Sequence, residues 1–189
     1  KSMKYLAAGC LMAAGASSQA ALINFTGEID YHNDVVYTYF SLNQGTENVR
    51  VWTDSFQDGA NFDPITALWS ADGNRIAEND DNSNINPATQ TVYDSGFDLS
   101  FLDAGDYIFT VATYNNFSNS TLLSDGFLFD SQDPIALEDW AQPANDVGMG
   151  KNWSVWLDGV DTASNPGADD PVAVPEPGSL ALVATGLLG

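Results

Sequence analysis

The sequence predicts an all-β protein, a β-sandwich or jelly roll of about eight or nine short antiparallel strands. Three observations carry this. Apolar and polar residues alternate with period two, most clearly at Phe97, Leu99 and Phe101 against Asp98 and Ser100. Asx-Gly turn chemistry punctuates the chain at Asn43-Gln44-Gly45, Ala71-Asp72-Gly73-Asn74 and Asp103-Ala104-Gly105-Asp106. No segment sustains a helical period, and aromatic residues make up 12% of the chain.

The predicted strands are residues 22–29, 34–42, 48–54, 65–70, 75–79, 96–102, 106–114, 126–130 and 151–157, with one short helical turn over Pro134–Trp140. The strand from Asp34 runs out to the Asn43–Gly45 turn, and the next returns to end near Asp54. The strand after Asp63 runs to the Asp72-Gly73 turn, and its partner returns to Asn79-Asp80-Asp81-Asn82. The strand from Phe97 leaves the same pole, turns at Asp103–Asp106 and comes back to Asn115-Asn116. Tyr107, Phe109 and Val111 alternate along it with Ile108, Thr110 and Ala112. Trp153, Val155 and Leu157 alternate with Ser154 and Trp156.

Both ends of the chain are excluded from this fold. Lys1 and Lys4 precede a short apolar run, Tyr5 to Ala16, and Ser18-Gln19-Ala20 offers small residues at a cut. This is a secretory signal peptide cleaved between Ala20 and Ala21, with a start that precedes Lys1. Cys10 sits too early in the apolar run to be a lipidation site. At the other end, Pro175-Glu176-Pro177 is a stiff turn ahead of a small-residue apolar run that suits a bilayer. The expected organisation is a leader over 1–20, a β-sandwich over 21–161, a disordered acidic linker over 162–174 and a tail over 175–189 that adds nothing to the fold.

Val174-Pro175-Glu176-Pro177-Gly178-Ser179 and the run after it resemble the PEP-CTERM sorting signal of Gram-negative bacteria. The resemblance implies a cell-surface or extracellular protein whose tail is read by an exosortase, contacts the inner membrane transiently, and accompanies exopolysaccharide and biofilm production. That pattern closes on a basic cluster, so the tail is expected to continue past Gly189. The body carries a second resemblance. Asp34-Val35 before Phe40-Ser41-Leu42, Asp63-Pro64, Asp72-Gly73-Asn74, Asn79-Asp80-Asp81, Leu102–Tyr107 and Ser124–Phe127 resemble a branch of the bacterial pre-peptidase C-terminal domain. This implies a jelly-roll-like sandwich in a group whose members include calcium binders and polymer binders.

Charge narrows the function classes. After Ala20 the chain has three basic side chains, Arg50, Arg75 and Lys151, against 26 acidic ones, a balance of −23. Nucleic acid is excluded as a partner, because phosphate neutralisation needs clustered Lys and Arg. The strand directions place Asp30, Asp34, Asp63, Asn79, Asp80, Asp81 and Asp94 at one pole. Acids crowded together call for a cation, and calcium takes six to eight hard oxygen ligands. The seven residues are therefore the candidate calcium ligands, with the Asp80-Asp81 pair foremost. One His and no Cys after the leader exclude a nitrogen- and sulfur-based transition-metal site.

Nothing in the pattern marks a catalytic residue. His32 stands alone near a turn, reads as a surface residue, and no nucleophile elbow accompanies it. Trp52 and Trp156 fall opposite the inward positions of their strands and are the candidate sugar-stacking surfaces. The leading expectation is an exported, non-enzymatic surface or matrix protein with a calcium-assisted sandwich. Its variant is self-association into filaments through an exposed sheet edge. A polysaccharide-binding module, or a hydrolase on the same scaffold, is the alternative.

Overall fold

The computed structural model describes residues 21–142, 149–168 and 172–174, the last three through their strand pairing. The leader with Ala20 and the Pro175-Glu176-Pro177 motif lie outside the described residues. The described chain forms strands β1 (Leu22–Glu28), β2 (Val35–Leu42), β3 (Thr46–Thr53), β4 (Pro64–Ser70), β5 (Arg75–Asn79), β6 (Gly96–Leu102), β7 (Gly105–Thr113), β8 (Asn152–Asp158), β9 (Thr162–Ser164) and β10 (Val172–Val174). They make two antiparallel sheets, β10-β1-β8-β3-β6 and β5-β4-β7-β2-β9. The protein is a β-sandwich.

Period-two alternation builds the core between the sheets. Val36, Phe40 and Leu42 of β2, with Phe109 and Val111 of β7 in the same sheet, face Val49 and Val51 of β3 and Val155 and Leu157 of β8 in the other, all buried. Each such side chain contributes about 1.5–3 kcal/mol on burial. A smaller cluster lies on the outer face of the second sheet. Ala67, Trp69 and Ala112 are covered there by Phe127 and Leu123 from the segment after β7. The Trp69 indole donates to Thr110 Oγ1 at 3.0 Å, and its ring meets Phe127 edge-on at 6.3 Å.

Four sequence expectations are corrected. Residues 126–130 form no strand: Gly126 takes φ 72°, and the next residue turns, Phe127 N–H donating to Asp130 Oδ2 at 2.8 Å. Pro134–Trp140 holds a turn and no helix. His32 is 1% exposed, so it is not a surface residue. Its Nδ1 accepts from Ile135 N–H at 3.1 Å, Nε2 bonds Gln132 Oε1 at 3.0 Å, and the rings of Phe129 and Trp140 flank it. It fastens the 129–140 segment to the start of β2. Finally, the segment expected as a linker carries two strands. β9 pairs with Tyr39–Ser41 of β2, and β10 with Leu22–Asn24 of β1. The sandwich therefore extends beyond residue 161, and residues 172–174 belong to a sheet.

Candidate metal centre

The pole is built as the strand directions require. Val35 at the start of β2 pairs with Ala112, and Pro64 at the start of β4 pairs with Thr113. Asn79, the last residue of β5, pairs with Thr66. The mouth of β4 and the exit of β5 are thus adjacent, and the side chains of Asp63, Asp80 and Asp81 converge there.

Asp63 is held from both sides along the backbone. Phe62 before it is fully buried, and Pro64 after it biases Asp63 to extended geometry. Its N–H donates to Gln142 Oε1 at 3.3 Å, and its carbonyl accepts from Tyr114 N–H at 2.7 Å. The side chain is 2% exposed, yet its Oδ1 has no hydrogen-bond partner; Asp80 Oδ1 is also buried without one. Asp63, Asp80 and Asp81 each turn one carboxylate oxygen into a group in which all three lie within 4.8 Å of one another. Asp63 is buried, Asp80 half-buried and Asp81 exposed, so the group opens to solvent on one side.

The electrostatics follow. Burial, then the charges of Asp80, Asp81 and Asp94, push the Asp63 carboxyl up to about 8. Burial and the neighbouring Asp81 raise Asp80, and burial raises Asp81. Three carboxyl groups, two of them with a buried Oδ1 that has no hydrogen-bond partner, form a hard, all-oxygen donor set without a basic side chain. Such a set could hold a hard cation, of which calcium takes six to eight oxygen ligands.

The other predicted ligands have different tasks. Asp94 is fully buried and saturated: Oδ1 accepts from Thr53 Oγ1 and Phe56 N–H, both at 3.1 Å, and Oδ2 from Thr91 N–H at 2.8 Å and Thr91 Oγ1 at 3.1 Å. It fastens the β5–β6 loop to β3. Asn79 donates through Nδ2 to the Gly96 carbonyl at 3.0 Å, joining the end of β5 to the start of β6. Asp34 Oδ2 caps a turn, accepting from Asp30 N–H at 3.0 Å and Tyr31 N–H at 2.8 Å. Asp30 Oδ1 pairs with Lys151 Nζ at 3.0 Å. Asp30, Asp34 and Asp94 are therefore outside the converging group.

Trp52 and Trp156 do lie opposite the inward residues of β3 and β8, and they stack on each other at 6.1 Å with planes 9° apart. Trp52 is nevertheless 1% exposed and offers no stacking surface. The Arg50 guanidinium lies 5.4 Å from the centre of its ring and donates to the carbonyl of buried Ile85 at 3.4 Å, so the β5–β6 loop closes this sheet face. Arg50 is in turn paired with Asp158. Trp156 is half-buried beside it.

The class these features define is an antiparallel β-sandwich with a cluster of three carboxyl groups at one pole. No family model matches the chain, no curated protein is similar to it, and no solved structure matches it. Among the described residues, no helix is long and apolar enough to cross a membrane.

Proposed function

We propose that the chain is an exported, non-enzymatic cell-surface or extracellular-matrix protein whose sandwich is completed by calcium. The observation that carries the cation is Asp63: a carboxylate removed from water, with an oxygen lacking any donor, facing Asp80 and Asp81. A buried charge without a partner is expensive, and a bound cation supplies the missing partner. The cation ties the mouth of β4 to the start of the β5–β6 loop and stabilises the fold.

Export rests on the leader over 1–20 and cleavage at Ala20-Ala21. Processing by an exosortase rests on Pro175, Glu176 and Pro177, and association with exopolysaccharide rests on the same resemblance. Calorimetric titration with calcium, after chelation, tests the cation. Binding to the wild-type chain, with loss in the Asp80→Asn/Asp81→Asn double variant, supports the reading. No heat, together with no rise in melting temperature, overturns it. The mass of secreted material tests export, with Ala21 expected as the mature start.

A further inference from the structure

The outer face of the second sheet carries a second feature, centred on β2. Strand register sets Ser164, Tyr39 and Ile108 in one row across β9, β2 and β7, and Thr162, Ser41 and Asp106 in the next. Directly opposed residues share a face. Tyr39 is 42% exposed. It lines two hollows. One, of about 430 Å³, has Ser41, Asp106, Thr162 and Ser164 in its wall. The other, of about 410 Å³, lies toward the end of β2 at which Asp30 and Asp34 sit, and these two line it with Tyr37, Glu28, Asn165 and the Pro166-Gly167 strap.

The lining fits one ligand chemistry. An exposed aromatic ring offers an apolar face. Hydroxyls surround it on one side, and an amide with carboxylates on the other. Asp106 and Glu28 accept hydrogen bonds from hydroxyl donors, and Asp106 Oδ1 already takes one from Ser41 at 2.6 Å. No lysine or arginine lines either hollow, and the chain beyond the leader carries −23 overall from its three basic and 26 acidic side chains, so an anionic ligand is repelled. Each hollow is within the usual size range of a small-ligand site, about 300–1,000 Å³.

We infer that this groove binds a neutral polysaccharide segment, with sugar rings in the hollows on either side of Tyr39. The inference sharpens the exopolysaccharide association proposed above by naming the polymer's charge class and the residues that meet it. It does not require the cation, because Asp106 lies at the opposite end of β7 from Asp63, and Asp30 and Asp34 beside the second hollow are outside the converging group of Asp63, Asp80 and Asp81.

The test is affinity electrophoresis of the full chain through gels holding hydroxyethyl cellulose, glucomannan, dextran or alginate, each with calcium and with chelator. The expected result is retardation by at least one neutral polymer in both conditions and none by alginate. Tyr39→Ala should weaken binding about tenfold or more, and Tyr39→Phe should keep most of it. Asp106→Ser, a second exposed change, should also weaken it; circular dichroism checks that each variant is folded. The inference is overturned if no neutral polymer retards the chain, if alginate retards it as well, or if Tyr39→Ala migrates as wild type. Binding that vanishes with chelator and returns with calcium would place the sugar on the cation, sinking the groove while leaving the calcium site standing. Binding that persists in a chain shown not to take calcium leaves the groove standing alone.

Discussion

Asp63 and Asp94 are both buried carboxylates at one pole of the sandwich, and they are opposites. Asp94 receives four hydrogen bonds, from Thr53, Phe56 and Thr91, whereas Asp63 has an oxygen that receives none. The first is complete within the protein chain. The second is complete only with a proton or a cation.

Asp63→Asn should therefore behave unlike Asp94→Asn. Near neutral pH the calcium-free fold holds Asp63 protonated while the unfolded chain ionises it, which costs stability. Asp63→Asn removes that cost, so the calcium-free protein should become more stable while losing its response to calcium. Asp94→Asn should lose about 1–3 kcal/mol with or without calcium, because its donors are left facing an amide. Urea unfolding of both variants, with calcium and with chelator, separates the two; equal behaviour would show that Asp63 is also a structural cap.

The pH dependence has a definite sign. An aspartate in the unfolded chain ionises near pH 4, whereas burial and its acidic neighbours hold Asp63 to about 8. Between those values the folded state keeps a proton that the unfolded state has released. Its stability contribution thus falls as pH rises through that window and levels off above it. Chelated protein should be more stable at about pH 5 than at about pH 8. Saturating calcium displaces the proton and should flatten this part of the profile, as should Asp63→Asn. A chelated wild-type profile that matches the Asp63→Asn profile would refute the assignment.

Trp52→Ala should cost about 3–5 kcal/mol, the range for emptying a buried indole site. Arg50→Ala should cost less but loosen the loop over Trp52, since it removes the bond to the Ile85 carbonyl. Acrylamide quenching of tryptophan fluorescence measures this; unchanged quenching in Arg50→Ala would mean that other contacts hold the loop.

Truncations should divide at the strands. Removing residues 175–189 should leave melting unchanged. Removing residues 172–189 also takes away the three β10 pairings with β1 and should lower stability slightly. Removing residues 162–189 deletes β9 and the Asn165 Nδ2 bond to Thr38 Oγ1, 2.8 Å long, leaving a fully buried hydroxyl without its partner. That should cost about 2 kcal/mol or more. Equal melting temperatures for all three would show that the sandwich ends at β8.

The sequence by itself determined the class of fold, the inward residues of β7 and β8, Phe97 and Leu99 of β6, and the pole at which the acids collect. These are local properties: alternation follows from the two-residue strand repeat, and turn chemistry sets each strand's direction. Phe101, expected to continue the β6 alternation, is instead 54% exposed, and Leu102 is buried. Tertiary structure decided which acids meet. Asp30, Asp34 and Asp94 share the pole with Asp63, Asp80 and Asp81, but Lys151, turn amides and Thr91 claim them. A string of residues does not show which donors will be in reach. It also hid β9 and β10, whose three-residue pairings run through backbone groups and need no apolar alternation. Trp52 shows the same division: period two placed it correctly on the outer face of β3, and a loop from more than thirty residues away buried it. Side-chain direction is set within a strand, whereas burial and hydrogen-bond satisfaction depend on what the rest of the chain lays against it.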